Sequence, residues 1–109
     1  MNYSIIVTRR FEKELKRLHK KFSSLKEDFA QLIVEITNNP IAGTFIGNNC
    51  YKIRLAISSK GKGKSGGARV ITYLYIDTET VYLLTIYDKN EKSDIQPNEL
   101  KKMIDSLDL

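Results

Sequence analysis

The sequence predicts a small α+β domain in which an antiparallel sheet packs against a hairpin of two helices. Apolar residues recur at helical spacing in two consecutive segments near the start, form short β-rich runs in three later segments, and return to helical spacing after a late proline. With 109 residues, 41% of them apolar, the chain has room for one hydrophobic core. We therefore expect a single domain over residues 1–109, in the order strand, two helices, three strands, helix.

The first strand and helix are predicted on either side of Thr8. Residues 3–7 form a short apolar run with β-branched side chains, which is typical of a strand, and Thr8 is a residue type that caps helices. From Arg9 onward, apolar residues recur at spacings of four, three and four, and they are Phe11, Leu15, Leu18 and Phe22. This spacing predicts an amphipathic helix.

A second helix is predicted from Ser24 to about Asn38. Glu27 stands three residues after Ser24, as in a capping box, and Pro40 limits the helix at its other end. The apolar residues at helical spacing are Leu25, Phe29, Leu32, Ile33 and Ile36. The two helices are expected to form a hairpin that packs on the downstream strands.

Three strands and a last helix follow. Residues 51–55 alternate, which puts Lys52 and Arg54 on one face and apolar side chains on the other. Residues 58–67, here called the basic loop, are rich in Gly, Ser and Lys and indicate a flexible turn. Residues 68–76 and 81–87 are predicted to form an antiparallel hairpin. Pro97 precedes a short helix carrying Leu100, Met103, Ile104 and Leu107.

Several classes of protein and site are disfavoured. The apolar runs are too short to span a bilayer, and the start MNYSIIVTRR lacks the order of a signal peptide, so a cytoplasmic protein without membrane association is expected. With one cysteine and one histidine, we expect no disulfide, metal site or cofactor. Cys50 is interpreted as a small buried residue rather than a nucleophile, and His19 as solvent-facing.

Positive charge is concentrated in the middle of the chain. The net charge is +5, and no Asp or Glu occurs between Ile36 and Ile76. Six cations lie in that stretch, namely Lys52, Arg54, Lys60, Lys62, Lys64 and Arg69. Eight acids and four lysines follow Ile76. A local basic patch of this kind favours a polyanionic partner.

The candidate site begins with Lys52 and Arg54, which share a strand face, and Arg69, which lies near the start of the next strand. Whether Arg69 joins them depends on strand register. The three cations would gather on the sheet face away from the helices and could bind phosphate. The alternative interpretation is a solvated strand edge, which is the usual position of surface lysine and arginine.

The basic loop supplies three further candidates. Lys60, Lys62 and Lys64 alternate with glycine, and a mobile basic loop could contact phosphates without reading bases. The alternative is a solubilising linker. A Walker-type phosphate loop is a poor alternative, because the required first glycine would fall on Ser58.

Residues after the last predicted strand complete the set. A phenol such as Tyr87 could stack on a base, while Lys89 and Lys92 could stabilise phosphate charge. Tyr73, Tyr75 and Tyr82 have strand spacing, and at least two of them are expected in the core.

The runs KIRLAISSKGKGKSGGARVITYLY and VYLLTIYDKNEKSDI, within residues 50–95, resemble the RelE/HigB-like toxins of type II toxin–antitoxin systems. The resemblance implies a metal-independent endoribonuclease that enters the ribosomal A site and cleaves messenger RNA through attack of a ribose 2′-hydroxyl. It further implies Lys52 and Arg54 in proton transfer and phosphate stabilisation, Arg69 on the scissile phosphate, and Lys89 as another cation. A cognate helix-turn-helix antitoxin is the implied partner, with operator DNA bound only through the complex.

Two positions depart from the family pattern. Where many relatives carry a functional tyrosine after the last strand, this chain has Ile95 and Gln96, so that role is vacant or passes to Tyr87. Asn90 occupies the place of a frequent arginine. Two other functions stay open: a ParE-like toxin that poisons gyrase, and a non-catalytic RNA- or DNA-binding module.

Overall fold

The computed structural model describes residues 3–109 and confirms the predicted α+β class. The helices are α1 (Arg9–Lys21), α2 (Leu25–Asn38) and α3 (Pro97–Asp105). The strands are β1 (Ser4–Val7), β2 (Thr44–Phe45), β3 (Cys50–Leu55), β4 (Ala68–Tyr75) and β5 (Thr80–Asp88). They form one sheet in the order β1-β5-β4-β3-β2.

The sheet is antiparallel from β2 to β5, as predicted, but β1 pairs with β5 in parallel. A parallel pair needs a long crossover connection, and here the whole of the chain from α1 to β4 lies between the two strands. Strand β2, only two residues long, lies in the segment that was predicted as loop and pairs with β3 at one sheet edge. Both the parallel pairing of β1 and the presence of β2 differ from the prediction, while the predicted α+β class is correct.

The helix α1 begins as predicted. The Thr8 hydroxyl accepts a hydrogen bond from the Phe11 N–H at 3.2 Å, which satisfies one of the free donors of the first turn. The same hydroxyl donates to the Leu83 carbonyl at 2.8 Å. Thr8 therefore both caps α1 and attaches it to β5.

The predicted capping box at Ser24 is wrong. Ser24 has helical backbone angles and makes no side-chain cap. Its hydroxyl instead accepts from the Ser59 N–H at 2.8 Å and donates to Asp28 at 2.8 Å. The start of α2 is thereby joined to the basic loop, a long-range contact that local sequence does not indicate. The other end of α2, before Pro40, agrees with the prediction.

Apolar clusters lie on both faces of the sheet. The larger one joins α1 and α2 to the strands, through residues such as Phe11, Leu32, Ile53 and Leu83. The smaller one, here called the α3 cluster, joins α3 to the opposite face and comprises Cys50, Ile71, Leu84, Tyr87, Leu100 and Met103. The helix hairpin thus covers one face, while α3 covers part of the other.

The basic loop has more structure than a flexible turn. Ser58–Lys60 forms a turn of 3-10 helix, and the Ser58 N–H and hydroxyl both donate to the buried carboxylate of Asp28, at 3.0 and 2.6 Å. At its other end Gly67 packs so closely on the Leu55 carbonyl that a Cβ atom would overlap it.

None of the helices within residues 3–109 combines the length and apolar character that a bilayer crossing needs.

Candidate nucleic-acid interface

Three predicted site residues form a row across the sheet. In the strand register Arg54 pairs with Arg69, and Arg69 pairs with Tyr87. Side chains of directly paired residues in antiparallel strands point to the same face. Lys52, two residues before Arg54, shares that face. We call the four residues Lys52, Arg54, Arg69 and Tyr87 the basic face. It lies opposite the helix hairpin, as the alternation in residues 51–55 predicts.

Arg69 is buried within the basic face, with 5% of its surface exposed. Its guanidinium donates to three backbone carbonyls, those of Lys64 (2.9 Å), Ala68 (3.1 Å) and Ser65 (3.4 Å). Within residues 3–109 it forms no salt bridge. Arg69 therefore keeps a positive charge that no carboxylate neutralises directly, which suits an anionic ligand.

Tyr87 is also buried, and its hydroxyl finds no hydrogen-bond partner within the described chain. Burial raises the pKa of the phenol, and the negative charge of Asp94 raises it further, against an opposing effect of Arg69. The phenol is thus protonated at neutral pH. A buried donor without an acceptor costs free energy, so the Tyr87 hydroxyl is a candidate hydrogen-bond donor to a ligand at the basic face.

Carboxylates of the segment after β5 neutralise two of the candidate lysines. Lys52 lies 3.3 Å from Asp94, and Lys92 lies 2.6 Å from Glu99. A backbone hydrogen bond from Ile95 and the contact with Lys52 lower the pKa of Asp94. The hydrogen bond from Lys92 lowers the pKa of Glu99. A polyanion that binds to either lysine must compete with these carboxylates.

Four candidate cations are solvent-exposed: Arg54, Lys62, Lys64 and Lys89. None of them forms a salt bridge to any residue that the structure describes. Arg54 and Lys64 line a cavity of about 280 Å³, which also contains Asp28 and Glu35. These side chains are free to meet phosphate at the surface, where contacts are strongest at low ionic strength.

Lys60 does not lie on the basic face. Its ammonium is 2.9 Å from Asp88 and 2.8 Å from the Gly66 carbonyl, and it stands over the Phe22 ring on the side of the helix hairpin. Lys60 is predicted to contact phosphate from a mobile loop, but in this structure its ammonium is held by Asp88 and the Gly66 carbonyl. Sequence reasoning missed Asp88, Asp94 and Glu99 as charge partners, although the acid-rich composition after Ile76 was a signal for them.

The remaining candidates take structural positions. Cys50 is buried, and burial raises its pKa to about 12, so the thiol is poorly suited to act as a nucleophile. His19 is half-buried rather than solvent-facing, with its Nδ1 enclosed and unpartnered in the described chain. Tyr73 and Tyr82 pack against the α3 cluster, as expected for two of the three tyrosines. Within residues 3–109, His, Cys, Asp and Glu form no group of three that could hold a metal ion.

The two departures from the family pattern have local roles. Gln96 is the N-cap residue of α3 and its backbone N–H donates to Glu99 at 3.3 Å, as in one half of a capping box, and Ile95 packs against the α3 cluster. Asn90 is exposed, and its backbone N–H donates to Asp88 at 3.1 Å. Neither position supplies a phenol or a cation at the basic face.

Comparisons with known proteins agree with one another. A family model described as the RelE toxin of the RelE/RelB toxin–antitoxin system matches residues 5–106. The isolated Escherichia coli RelE toxin has a similar structure, with a TM-score of 0.60, 18% identity, and coverage of 96% of this chain and 98% of that one. A chain of the intact E. coli RelBE toxin–antitoxin complex is also similar, with a TM-score of 0.59, 22% identity, and coverage of 79% of this chain and 95% of that one. A chain of the RelBE2 toxin–antitoxin complex of Mycobacterium tuberculosis has a TM-score of 0.56 and 14% identity, with coverage of 81% of this chain and 99% of that one.

Proposed function

The chain belongs to the family of RelE toxins of toxin–antitoxin systems, and from this membership we propose that it is a ribosome-dependent endoribonuclease that cleaves messenger RNA in the cytoplasm. The observation that supports this most is the row of Arg54, Arg69 and Tyr87 across three strands. It combines a surface cation, a buried cation and a protonated phenol within one face. Donors placed in this way can stabilise the negative charge that develops when a ribose–phosphate linkage is cleaved.

The proposed reaction needs no metal ion. The 2′-oxygen of a ribose attacks the adjacent phosphorus, the bond from phosphorus to the 5′-oxygen breaks, and the products are a cyclic phosphate and a free 5′-hydroxyl. The attacking hydroxyl loses a proton and the leaving oxygen gains one. Arg69 stabilises the charge that develops on the phosphoryl oxygens, and the Tyr87 phenol donates a hydrogen bond beside it. Lys52 takes part in proton transfer, Arg54 stays protonated and binds the phosphate, and Lys89 adds a further cation.

Substrate binding requires a local rearrangement in this proposal. Arg69 and Tyr87 are each only 5% exposed, so in this proposal Lys92, whose ammonium stands over the Tyr87 ring, moves aside before RNA reaches them. The lysines Lys62 and Lys64, which are exposed on the loop, would meet the RNA first, together with Arg54. The carbonyls of Lys64, Ala68 and Ser65 occupy three of the five N–H donors of Arg69, which leaves two donors for phosphate while the loop stays in place.

An antitoxin is the proposed partner. Solved complexes of similar toxins contain one, in E. coli RelBE and in M. tuberculosis RelBE2. We propose that a cognate antitoxin with a helix-turn-helix module neutralises this toxin by covering the basic face, and that operator DNA is bound only through that complex. Acidic residues of the antitoxin would complement the exposed cations and speed association.

The test is to map transcript 5′ ends after a brief induction, with and without ongoing translation. New ends within coding sequences that require translation would support the proposal. Double-strand DNA breaks with intact transcripts would indicate a ParE-like gyrase poison instead. Salt-sensitive RNA or DNA binding with no cleavage on translating ribosomes would indicate a non-catalytic binding module.

A further inference from the structure

A buried ion pair joins the basic loop to the end of β5. Lys60 Nζ lies 2.9 Å from Asp88 Oδ1, and the two side chains are 9% and 2% exposed. Lysine and aspartate are rarely buried unless they are paired. The Lys60 ammonium also donates to the Gly66 carbonyl at 2.8 Å, so this lysine links the start of the loop to its end.

Asp88 connects three segments. It accepts from Lys60 and from the Asn90 N–H, and the Lys21 ammonium of α1 lies 4.0 Å away. Burial alone would raise the pKa of Asp88, but these hydrogen bonds and positive charges outweigh it and lower the pKa. The carboxylate is therefore charged at neutral pH and available to hold Lys60.

The loop is held from its other side by Arg69. The guanidinium donates to the carbonyls of Lys64 and Ser65, while the Lys89 N–H donates to the Gly67 carbonyl at 3.2 Å. In the register, Ala68 pairs with Asp88 and Arg69 pairs with Tyr87. The ion pair and the proposed phosphate-binding arginine are thus adjacent along the same strands, on opposite faces of the sheet.

We propose that Lys60 and Asp88 are positioning residues, which order the basic loop so that its carbonyls orient Arg69 and its exposed lysines face the incoming RNA. This inference rests on the proposed function. Lys60 does not contact RNA, because its ammonium is paired and lies on the side of the helix hairpin. The pair acts on cleavage through the loop, by fixing the geometry of Arg69 before the substrate binds.

The competing interpretations give different results. If Lys60 were a phosphate ligand, its removal would weaken RNA binding and its salt dependence, whereas removal of Asp88 would not. If the pair only stabilised the fold, its removal would lower the melting temperature but leave kcat unchanged well below that temperature. A positioning pair predicts the same kinetic defect from either partner, without a change in salt dependence.

The experiment compares Lys60→Met, Asp88→Asn and the double variant with wild type. The double variant leaves no unpaired buried charge, so it keeps the test valid if a single variant does not fold. Lys62→Met, an exposed lysine of the same loop, is the control for phosphate contact. Lys26→Met, an exposed lysine on α2, is the control for charge alone.

Two quantities are measured: amide hydrogen exchange of residues 61–67 in the free protein, and kcat and KM for cleavage on translating ribosomes. Exchange in the loop is expected to rise in all three variants, and kcat to fall about 10- to 100-fold, as for a misplaced catalytic group. KM should change little, and so should the salt slope, which is the slope of log affinity for RNA against log salt concentration. Lys60→Arg, which keeps the charge, should restore most of kcat. For Lys62→Met we expect a salt slope smaller by about 0.7 and near-normal loop exchange.

Unchanged loop exchange in the double variant would overturn the inference. So would a wild-type kcat in the double variant, because the pair would then only stabilise the fold. A salt slope that is reduced by Lys60→Met but not by Asp88→Asn would also overturn it, because Lys60 would then be a phosphate ligand. If the wild-type protein cleaves no RNA, the proposed function fails, and the exchange data still decide whether the pair orders the loop.

Discussion

At the scale of single residues, the proposed cleavage depends most on Arg69. We expect Arg69→Ala to remove growth arrest and to lower cleavage by at least about 100-fold, because transition-state charge on phosphate loses its main donor. The protein should remain folded, with a stability loss of about 2 kcal/mol from the lost loop hydrogen bonds. Cleavage assays and circular dichroism on the purified variant measure the two effects.

Arg69→Lys is the matched control, since it keeps the charge but not the planar set of donors. It should stay well below wild type in cleavage. Full toxicity of a soluble Arg69→Ala protein would remove this residue from the mechanism.

Tyr87→Phe should separate stability from activity. The Tyr87 hydroxyl is buried without a partner in the described chain, and such a group costs about 1–3 kcal/mol when it is left unsatisfied. Removing it should leave the free energy of unfolding unchanged or raise it by up to about 1 kcal/mol, while cleavage falls. Urea denaturation and single-turnover cleavage test this together. Marked destabilisation would mean that the hydroxyl has a partner in solution.

The face of the sheet on which each site residue lies could be predicted only in part. The alternation in residues 51–55 predicts that Lys52 and Arg54 share a face, and they do. The place of Arg69 could not be predicted, because a slip of one residue in register would move it to the other face. The pairing of Lys60 with Asp88 joins residues 28 positions apart, and it depends on how the loop returns to β5.

At the scale of elements, the junction of the basic loop and β4 depends on Gly67. A Cβ atom there would overlap the Leu55 carbonyl, so Gly67→Ala must displace the β3–β4 pair. We expect a loss of at least about 3 kcal/mol, in the upper range for point substitutions, and reduced cleavage because Arg69 moves with the strand. Thermal and urea unfolding measure the loss.

Gly63→Ala is the control for this prediction. Gly63 has a positive φ of 64° but open space around it, so alanine should cost only about 1–2 kcal/mol. Equal losses at the two positions would contradict a special role for close packing at Gly67.

The elements themselves were largely predictable, because periodicity is a local property. The structure agrees with the prediction at the Thr8 cap and the apolar face of α1. It also agrees at the end of α2 before Pro40 and at the start of α3 at Pro97. The errors come from long-range contacts. Ser24 bonds to Ser59 instead of capping α2, and a capping hydrogen bond is made at Gln96 and Glu99. The parallel pairing of β1 depends on the path of the whole chain.

At the scale of the whole molecule, the acidic residues after Ile76 fold back onto the cations. Arg17 pairs with Glu91, Lys52 with Asp94, Lys60 with Asp88, and Lys92 with Glu99. The field of the basic face is therefore weaker than the stretch without acids suggests, and the cations left exposed without acidic partners are those that can steer a polyanion. The same pairs make stability depend on pH.

Acid should destabilise the protein mainly through Asp88. The folded-state pKa values of Asp88, Glu91, Asp94 and Glu99 are all lowered. A lowered pKa means that the unfolded chain binds the proton first, so this stabilisation is complete above about pH 5 and is lost as pH falls below about 4. Asp88 should dominate because it is buried, whereas the other three are partly exposed and screened by solvent. Urea midpoints at several pH values from about 7 to 3 would measure the effect. Asp88→Asn should lower the midpoint at neutral pH and flatten its decline in acid, and parallel pH curves for the variant and wild type would contradict this assignment.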